Sequence, residues 1–305
     1  MCWPRIDPLF SFTLKVIALG VFAFLALIAF FLFYSAWPAI LRFGWEFLRT
    51  STWDPVKEIF GALPVIYGTV ISSLFAVAIA APLSVGIALF LNELSPRKIA
   101  TPIGFLVEML AAIPSVVYGL WGIFVLAPWL GDVVQPFLGK WLGALPLFQG
   151  PPYGVGMLAA IIILAIMITP TISSISKEVF QAIPRSDREA ALALGATRWE
   201  MMKLSVLGRA RAGIFGAVIL GLGRALGETM AVTMVIGNRS EISASLFAPG
   251  QTMASVIANE YAEATSDLHV AALAEIGLVL FGVTFLINAI ARLIIWKVAQ
   301  VKVTR

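Results

Sequence analysis

Charged residues and cysteine are both scarce in this chain of 305 residues. Asp, Glu, Lys and Arg together make up 12% of the sequence, whereas hydrophobic residues make up 60%. Soluble globular domains carry about 25% charged residues, so the composition excludes that class. The single cysteine, Cys2, excludes a framework of intrachain disulfide bonds.

Short motifs of the common catalytic sites are absent as well. The sequence contains no G-x-x-x-x-G-K-[ST] loop for ATP, no H-E-x-x-H zinc motif and no G-x-S-x-G nucleophile turn. One histidine and one cysteine cannot form a cysteine–histidine metal cluster. We therefore expect no catalytic residues, no bound metal and no cofactor.

Apolar runs long enough to cross a membrane are what the chain has instead. A helix needs about 20 apolar residues to cross a hydrocarbon core of about 30 Å. Six such runs predict an all-α polytopic membrane protein. They lie at about 16–37, 65–91, 103–126, 155–176, 212–237 and 270–291. Proline at positions 82, 114 and 170 falls inside three of them, which favours a bundle around a pathway over a simple anchor.

Lys and Arg are unevenly distributed between the connecting segments. Residues 1–15, 92–101, 177–211 and the tail from Arg292 hold fifteen of the 21, and the opposite loops hold five. Cytosolic loops carry such an excess, so we expect both termini to face the cytosol. The same distribution explains the net charge of +4 without a nucleic acid partner. We divide the chain into a first span with an external or interfacial segment (1–60), a membrane domain (61–296) and a cytosolic tail (297–305).

A charged stretch at 186–208 is predicted to form a helical hairpin outside the membrane. Ser186 and Glu189 have the S-x-x-E spacing of a capping box, and Thr197 and Glu200 repeat the equivalent T-x-x-E spacing. Gly195 between them supplies a left-handed residue that ends a helix. Two short helices are expected. An ordinary surface hairpin and a DNA-binding helix-turn-helix are alternatives, but the membrane context favours a docking surface.

Arg224 and Glu228 lie inside the fifth apolar run. A charge there costs on the order of 3 kcal/mol, and such residues are functional candidates by default. At i and i+4 on one helix the two side chains share a face and can pair. One interpretation is a self-neutralising structural pair. The other is that the guanidinium binds the oxygens of an anion, and that Glu228 holds it when no anion is present.

Five further residues of the membrane runs and their loops receive weaker interpretations. Gly223 and Gly227 form a G-x-x-x-G pair that permits close helix approach. Glu108 in the third run is as readily structural as functional. Glu275 is expected to reach water near the outer face, and His269 is expected to be solvated.

One motif in the hairpin resembles a known family. An E-A-A triplet followed after three residues by glycine is similar to the EAA loop of the membrane subunits of bacterial ABC importers. The family pattern continues with nine residues and I-x-L-P, whereas positions 205–208 read S-V-L-G and keep only the leucine. The resemblance implies a type I ABC importer permease fold whose coupling hairpin docks on an ATP-hydrolysing subunit. The residues implied in this coupling are Glu189, Ala190, Ala191, Gly195 and Leu207.

The run RALGETMAVTMVIGN that begins at Arg224 narrows this resemblance. It is similar to phosphate-specific ABC importer permeases, and more to their C-type than to their A-type subunit. The resemblance extends from about residue 60 to the end. It implies a multi-pass subunit of the bacterial plasma membrane that is not itself an enzyme and translocates inorganic phosphate. The implied pathway residues are Arg224, Glu228, Thr229 and Glu108.

The resemblance also implies partners. These are an A-type permease subunit in a heterodimer, two copies of an ATP-hydrolysing subunit, an external phosphate-binding protein and the surrounding membrane lipid. Three other functions stay open at this point. They are a permease for another oxyanion or an organic solute, an ion-coupled carrier or channel without an ATPase, and a membrane-anchored signalling subunit.

Overall fold

Helices make up most of the chain that the structure describes. The computed structural model describes the backbone of residues 8–300, and the side chains of that range except those of 8, 9, 97 and 294–300. Cys2, the expected cytosolic N-terminus and residues 301–305 of the expected tail lie outside it. Between residues 8 and 300 there is no β-strand, only isolated bridges joining Asp54 to Ile59 and Gly237 to Gly250.

Thirteen α-helices follow one another within the described range. They are α1 (Pro8–Phe43), α2 (Leu63–Leu89), α3 (Arg97–Ala112), α4 (Ser115–Trp121), α5 (Ala127–Trp129), α6 (Gln135–Leu142), α7 (Met157–Gln181), α8 (Arg185–Ala193), α9 (Arg198–Met201), α10 (Gly208–Gly227), α11 (Met230–Val235), α12 (Met253–Glu260) and α13 (Asp267–Gln300). Helix α13 continues to Gln300, so residues 297–300 of the expected cytosolic tail are helical.

Six helical stretches of the described residues are long and apolar enough to cross a membrane, which confirms the all-α polytopic class. They are Phe10–Leu48, Leu63–Leu94, Ser115–Leu142, Met157–Gln181, Arg198–Gly227 and Asp267–Leu293. The first, second, fourth and sixth contain the predicted runs almost entirely. The third and fifth differ from the prediction in ways that bear on function.

The third predicted span, 103–126, is interrupted at Pro114. Helix α3 ends at Ala112, and Ile113 is extended with ψ 128°. The residue before a proline is disfavoured in the α region, so a new helix begins at Ser115. From there the chain stays helical to Leu142.

Two further prolines are accommodated within this third stretch. Pro128 and Pro136 each follow a π-helical turn, at Gly122–Leu126 and Leu130–Val134. A proline removes a backbone N–H and clashes with the carbonyl of the preceding turn. A wider π turn placed before each proline keeps the helix going.

The fifth predicted span, 212–237, is also broken. Helix α10 ends at Gly227, and Glu228 is extended with φ −69° and ψ 125°. Helix α11 restarts at Met230 after this break. Arg224 therefore lies in the last turn of a helix and not in the middle of a continuous one.

Helix α7 lies at the centre of the bundle, and it is the most buried of the six crossings. It packs against α2, α3 and α10. The seam on α10 consists of Gly213, Ala217 and Gly221. An added Cβ would meet Val179 of α7 at Gly213 and Ile172 of α7 at Gly221. The side chain of Ala217 is fully buried. No described helix of this chain approaches Gly223 or Gly227 closely: a Cβ built at Gly223 would have Asn288 Oδ1 at 3.9 Å, and one built at Gly227 would have nothing within 4 Å.

The segment between α11 and α13 is folded back against the bundle. The Met253 N–H donates to Thr69 Oγ1 over 2.9 Å, which ties α12 to α2. His269 is buried and its Nε2 lies 3.0 Å from Glu260 Oε2, so the expectation of a solvated histidine is wrong. Glu275 is also buried, with only 6% of its surface exposed, and does not reach water. Tertiary packing of this segment covers both residues.

Candidate functional site

The two interrupted helices meet at their breaks. Helices α4 and α11, each the first helix after its break, pack against one another. A Cβ added at Gly119 would lie 3.2 Å from the Cα of Ala231 and would overlap Met234. Non-helical backbone within a membrane is tolerated only where protein or a water-filled cavity surrounds it. The paired breaks therefore need either neighbouring helices or a water-filled cavity around them.

Arg224 reaches across from the end of α10 to α7. Its Nη1 donates to Thr171 Oγ1 over 2.9 Å. Thr171 follows Pro170, the proline inside α7. Within the described part of the chain, no carboxylate forms an ion pair with Arg224 and no other residue accepts from its guanidinium. The cation is held by one neutral hydroxyl, and its remaining N–H donors are available.

Glu228 does not serve as the partner of Arg224, so the predicted i, i+4 pair is wrong. The helix that would bring the two side chains together ends one residue before Glu228. Glu228 Oε1 instead accepts a hydrogen bond from the backbone N–H of Ala231 over 3.4 Å, at the start of α11. A carboxylate at a helix N-terminus is stabilised by the unpaired N–H groups there.

The other two predicted pathway residues lie apart from one another. Thr229 directly follows Glu228 at the break, and its Oγ1 donates to the Gly227 carbonyl over 3.2 Å. Glu108 lies on α3, where its carboxylate is 3.1 Å from Lys177 Nζ. Lys177 is six residues along α7 from Thr171, which corresponds to about 9 Å of helix rise. The structure therefore groups Arg224, Glu228 and Thr229 along the chain around one break and places Glu108 elsewhere.

The coupling hairpin, residues 185–207, begins differently from the prediction. Helix α8 starts at Arg185 with Pro184 as its N-cap, and no side chain caps it. The expected capping box of Ser186 and Glu189 is therefore wrong. Pro184, with φ −55° and ψ 141°, sets an extended entry to the helix, so the N-cap lies two residues before the predicted one.

Gly195 ends α8 as predicted, with φ +85°. The Gly195 N–H donates to the Leu192 carbonyl over 3.0 Å, and the Ala196 N–H donates to the Ala191 carbonyl over 3.2 Å. These two bonds are the Schellman pattern that satisfies the last carbonyls of a helix. Nothing lies within 4 Å of a Cβ built at Gly195. Position 195 therefore favours glycine because of its left-handed backbone conformation and not because space is lacking.

The second half of the hairpin starts as expected and then does not stop. Thr197 and Glu200 form the predicted capping box, with side-chain and backbone bonds in both directions. After α9 a π-helical turn at Met202–Leu207 leads straight into α10. Position 208 is glycine where the family pattern has proline, so no residue breaks the helix here. The prediction of two short helices is wrong for the second one.

The coupling residues divide between two faces of the hairpin. Glu189, Ala190 and Gly195 are exposed, next to Leu194, which is 90% exposed. Ala191 and Leu207 pack inwards against an apolar cluster that includes Phe180 and Met202. The exposed set forms a surface that none of residues 8–300 covers, whereas Ala191 and Leu207 hold the hairpin on the bundle.

Sequence reasoning missed three residues of these sites. Thr171 was not singled out, although its position after an intramembrane proline is the signal for it. Arg188 and Glu93 form an ion pair with Nη2 and Oε1 2.8 Å apart, between the hairpin and the end of the second crossing. The pattern alone gives no signal for a pair separated by 95 positions.

Comparison with known proteins decides the family. The model of the family described as "Binding-protein-dependent transport system inner membrane component" matches residues 81–300. The chain belongs to this family. Its six apolar crossings agree with a multi-pass inner membrane protein. Among the described residues no group of three or more His, Cys, Asp or Glu could hold a metal ion.

Relatives in this family are similar over almost the whole chain. The phosphate transport system permease protein PstC of Mesorhizobium japonicum is 50% identical over 96% of this chain and 90% of its own length. The protein of the same name from Pasteurella multocida is 46% identical over 97% of this chain and 93% of its length. A probable phosphate transport system permease protein PstC of Methanocaldococcus jannaschii is 39% identical over 94% of this chain and 92% of its own length.

Solved structures of two ABC transporters share the fold. A chain of the MetNI methionine ABC transporter, in an inward-facing conformation, matches with a TM-score of 0.59 over 81% of this chain and 99% of that chain. A chain of a bacterial ABC transporter involved in the import of the acidic polysaccharide alginate matches with a TM-score of 0.60 over 94% of this chain and 96% of that chain. Both are 16% identical to this chain. They confirm the ABC importer permease fold.

Proposed function

We propose that this chain is the membrane-spanning permease subunit of an ATP-driven importer that moves inorganic phosphate into the cell. The observation that carries the substrate is Arg224, a cation at a helix break that is bonded to one neutral hydroxyl. The similarity to phosphate permeases in bacteria and an archaeon over more than nine-tenths of the chain supports phosphate over other oxyanions. The chain itself is a transport subunit and not an enzyme.

Arg224 performs its role through geometry as well as charge. A guanidinium presents a planar fork of N–H donors that matches two oxygens of a phosphate. Because Thr171 carries no charge, an arriving anion can replace its hydroxyl as the acceptor without breaking an ion pair. Thr229 and Glu228 lie at the same break, where Glu228 holds the start of α11. A bond that is easily exchanged suits a pathway, since a transported anion must also leave.

The break itself contributes to anion passage. The third crossing restarts at Ser115 after an extended Ile113, so its first backbone N–H groups have no partner within the helix. The positive end of a half-helix favours negative charge nearby. We assign the paired breaks and Arg224 to one pathway region, and Glu108 with Lys177 to the hairpin end of the bundle.

The coupling hairpin gives the importer its link to ATP. Its exposed residues Glu189, Ala190, Leu194 and Gly195 form the surface that an ATP-hydrolysing subunit, present in two copies, contacts. The permease partner is an A-type subunit in a heterodimer, an external phosphate-binding protein delivers the anion, and lipid surrounds the apolar faces. In this arrangement the hairpin and both termini face the cytosol, in agreement with the excess of Lys and Arg on that side.

Reconstitution tests this function against its alternatives. The chain is purified with its co-expressed subunits, inserted in proteoliposomes, and assayed for uptake of labelled phosphate with ATP inside and binding protein outside. We expect uptake that requires both ATP and the binding protein and is not competed by sulfate. Uptake driven by an ion gradient without ATP would indicate a carrier, and preferred uptake of sulfate would indicate another oxyanion permease.

Reporter fusions test the orientation separately. Fusions at Lys98 and Arg198 should report the cytosol, and fusions at Gly150 and Glu263 the outside. An external signal at Arg198 would place the hairpin on the wrong side of the membrane for an ATPase partner.

A further inference from the structure

The coupling hairpin is covalently continuous with only two membrane helices. Helix α7 leads into it through residues 182–184, and α10 leaves it at Gly208 without a break. Helix α2 is not adjacent to the hairpin in sequence. Its packing against α7 is nevertheless the most extensive between any two elements of the described chain. A movement of the hairpin reaches α2 only through non-covalent contacts.

Arg188 of the hairpin forms the polar part of that contact. Its Nη2 and Nε donate to Glu93 Oε1 over 2.8 and 3.1 Å, at the π-helical turn that ends the second crossing. Glu93 is well covered, with only 7% of its side chain exposed, and that of Arg188 is 16% exposed. Asn92 Nδ2 also donates to Glu93 Oε1 over 2.7 Å and holds the carboxylate in place.

The same guanidinium also closes the end of α7. Its Nη1 donates to the Ile183 carbonyl over 2.6 Å and its Nη2 to the Phe180 carbonyl over 2.7 Å. These carbonyls belong to the end of a helix, where a cation is favoured by the unpaired C=O groups. Four of the five N–H donors of one arginine thus join the hairpin, the end of α7 and the end of α2. Lysine has a single ammonium and cannot span these positions in one plane.

Apolar contacts alone do not give the same connection. Ala88 of α2 belongs to a buried cluster with Met201, Met202 and Val206 of the hairpin. Such contacts are not directional and allow helices to slide past one another. Hydrogen-bonded ion pairs fix both distance and angle. The neighbouring Asp187 makes a separate ion pair with Arg209 of α10 over 2.7 Å, so adjacent hairpin residues face different helices.

We propose that Arg188 is a positioning residue that transmits hairpin movement to α2 through Glu93, so that the second, fourth and fifth crossings move together. This inference rests on the proposed function, because it assigns the residue to coupling between ATP hydrolysis and transport. The residues do not contact the transported anion. Their removal should change the ratio of phosphate transported to ATP hydrolysed.

The experiment measures that ratio for Glu93→Gln in the reconstituted complex. We expect assembly and ATP hydrolysis within about twofold of wild type, and phosphate transported per ATP reduced about fivefold or more, as for the loss of a typical coupling energy. Arg188→Lys keeps the charge but loses the planar fork, so its phosphate transported per ATP should lie between the values of wild type and Glu93→Gln. Glu178→Gln is the matched control, since Glu178 is an exposed carboxylate on the last turns of α7. It should behave as wild type.

The outcomes separate this inference from the proposed function. A wild-type complex without ATP-dependent phosphate uptake would remove the function, whereas normal wild-type coupling with an unchanged ratio in Glu93→Gln overturns the inference alone. If Glu93→Gln does not assemble, the double variant Glu93→Gln with Arg188→Gln is used, because removing both partners of a covered pair is often tolerated. An assembled double variant with a low ratio supports the proposal. A normal ratio, or failure of both variants to assemble, overturns it in favour of a folding role.

Discussion

Arg224 donates to Thr171 over 2.9 Å and so joins the end of the fifth crossing to the fourth crossing beside its proline. This hydrogen bond replaces the ion pair with Glu228 that spacing alone would suggest. A hydroxyl holds the guanidinium in position, and no carboxylate among the described residues pairs with it. That state is the one in which an arginine in a membrane attracts an anion.

Arg224 is therefore expected to be required for transport through both its charge and its shape. Arg224→Gln should lower phosphate flux per assembled complex at least tenfold, about 1.4 kcal/mol or more. Arg224→Lys keeps the charge but loses the planar fork, so its flux should be intermediate. The measurement is uptake in proteoliposomes with complex abundance determined separately. Normal flux in Arg224→Gln would remove Arg224 from the pathway.

Thr171 gives a matched pair of variants for the same site. Thr171→Val is nearly isosteric but removes the acceptor of a hydrogen bond to a charged group, a contribution of about 1.5–3 kcal/mol. We expect flux to fall roughly tenfold. Thr171→Ser keeps the hydroxyl and should stay within about twofold of wild type. Equal behaviour of the two variants in the uptake assay would mean that the hydroxyl does not position Arg224.

Glu228 should not compensate for the loss of Arg224. If the two formed a buried pair, removing both charges would restore a complex that one substitution damages. Because Glu228 bonds the start of α11 instead, the double variant Arg224→Gln with Glu228→Gln should transport no better than Arg224→Gln alone. Rescue by the second substitution, seen as higher flux at equal abundance, would restore the ion-pair interpretation.

Gly195 should tolerate asparagine better than valine. Its φ of +85° is strained for a β-branched residue, whereas asparagine adopts left-handed conformations more easily. Gly195→Val should leave membrane insertion intact and lower phosphate transported per ATP hydrolysed, because α9 would leave α8 in a different direction. Gly195→Asn should remain close to wild type. If both variants lose coupling equally, steric contact with the partner, and not backbone conformation, limits this position.

Glu260 is expected to stabilise the side of the protein opposite the hairpin. Its Oε2 accepts Trp53 Nε1 over 2.7 Å and lies 3.0 Å from Nε2 of the buried His269. Glu260→Ala leaves both partners without an acceptor, at a cost of about 1–3 kcal/mol for the buried histidine. The melting temperature of the purified complex should fall by several degrees. Glu263→Ala removes an exposed carboxylate nearby and serves as the control, which should leave the melting temperature unchanged.

Composition and local pattern determined the class of this protein. Apolar runs of about 20 residues report a membrane environment directly, because each residue contributes its own transfer free energy wherever it lies in the run. The left-handed Gly195 and the capping box of Thr197 were predictable for a similar reason. Both depend on residues within a few positions of one another. The EAA triplet and the run from Arg224 indicated the family for the same reason, since each is contiguous.

Only the tertiary structure decided what Arg224 and the hairpin contact. An i, i+4 pair exists only if the helix continues, and the helix ends at Gly227, where α11 packs against α4. The burial of His269 depends on a segment that folds back from elsewhere in the chain. Arg188 and Glu93 are 95 positions apart, and no local period relates them. Which distant side chains meet depends on how whole helices pack. The packing energy is shared among many residues, so no single stretch of sequence determines it.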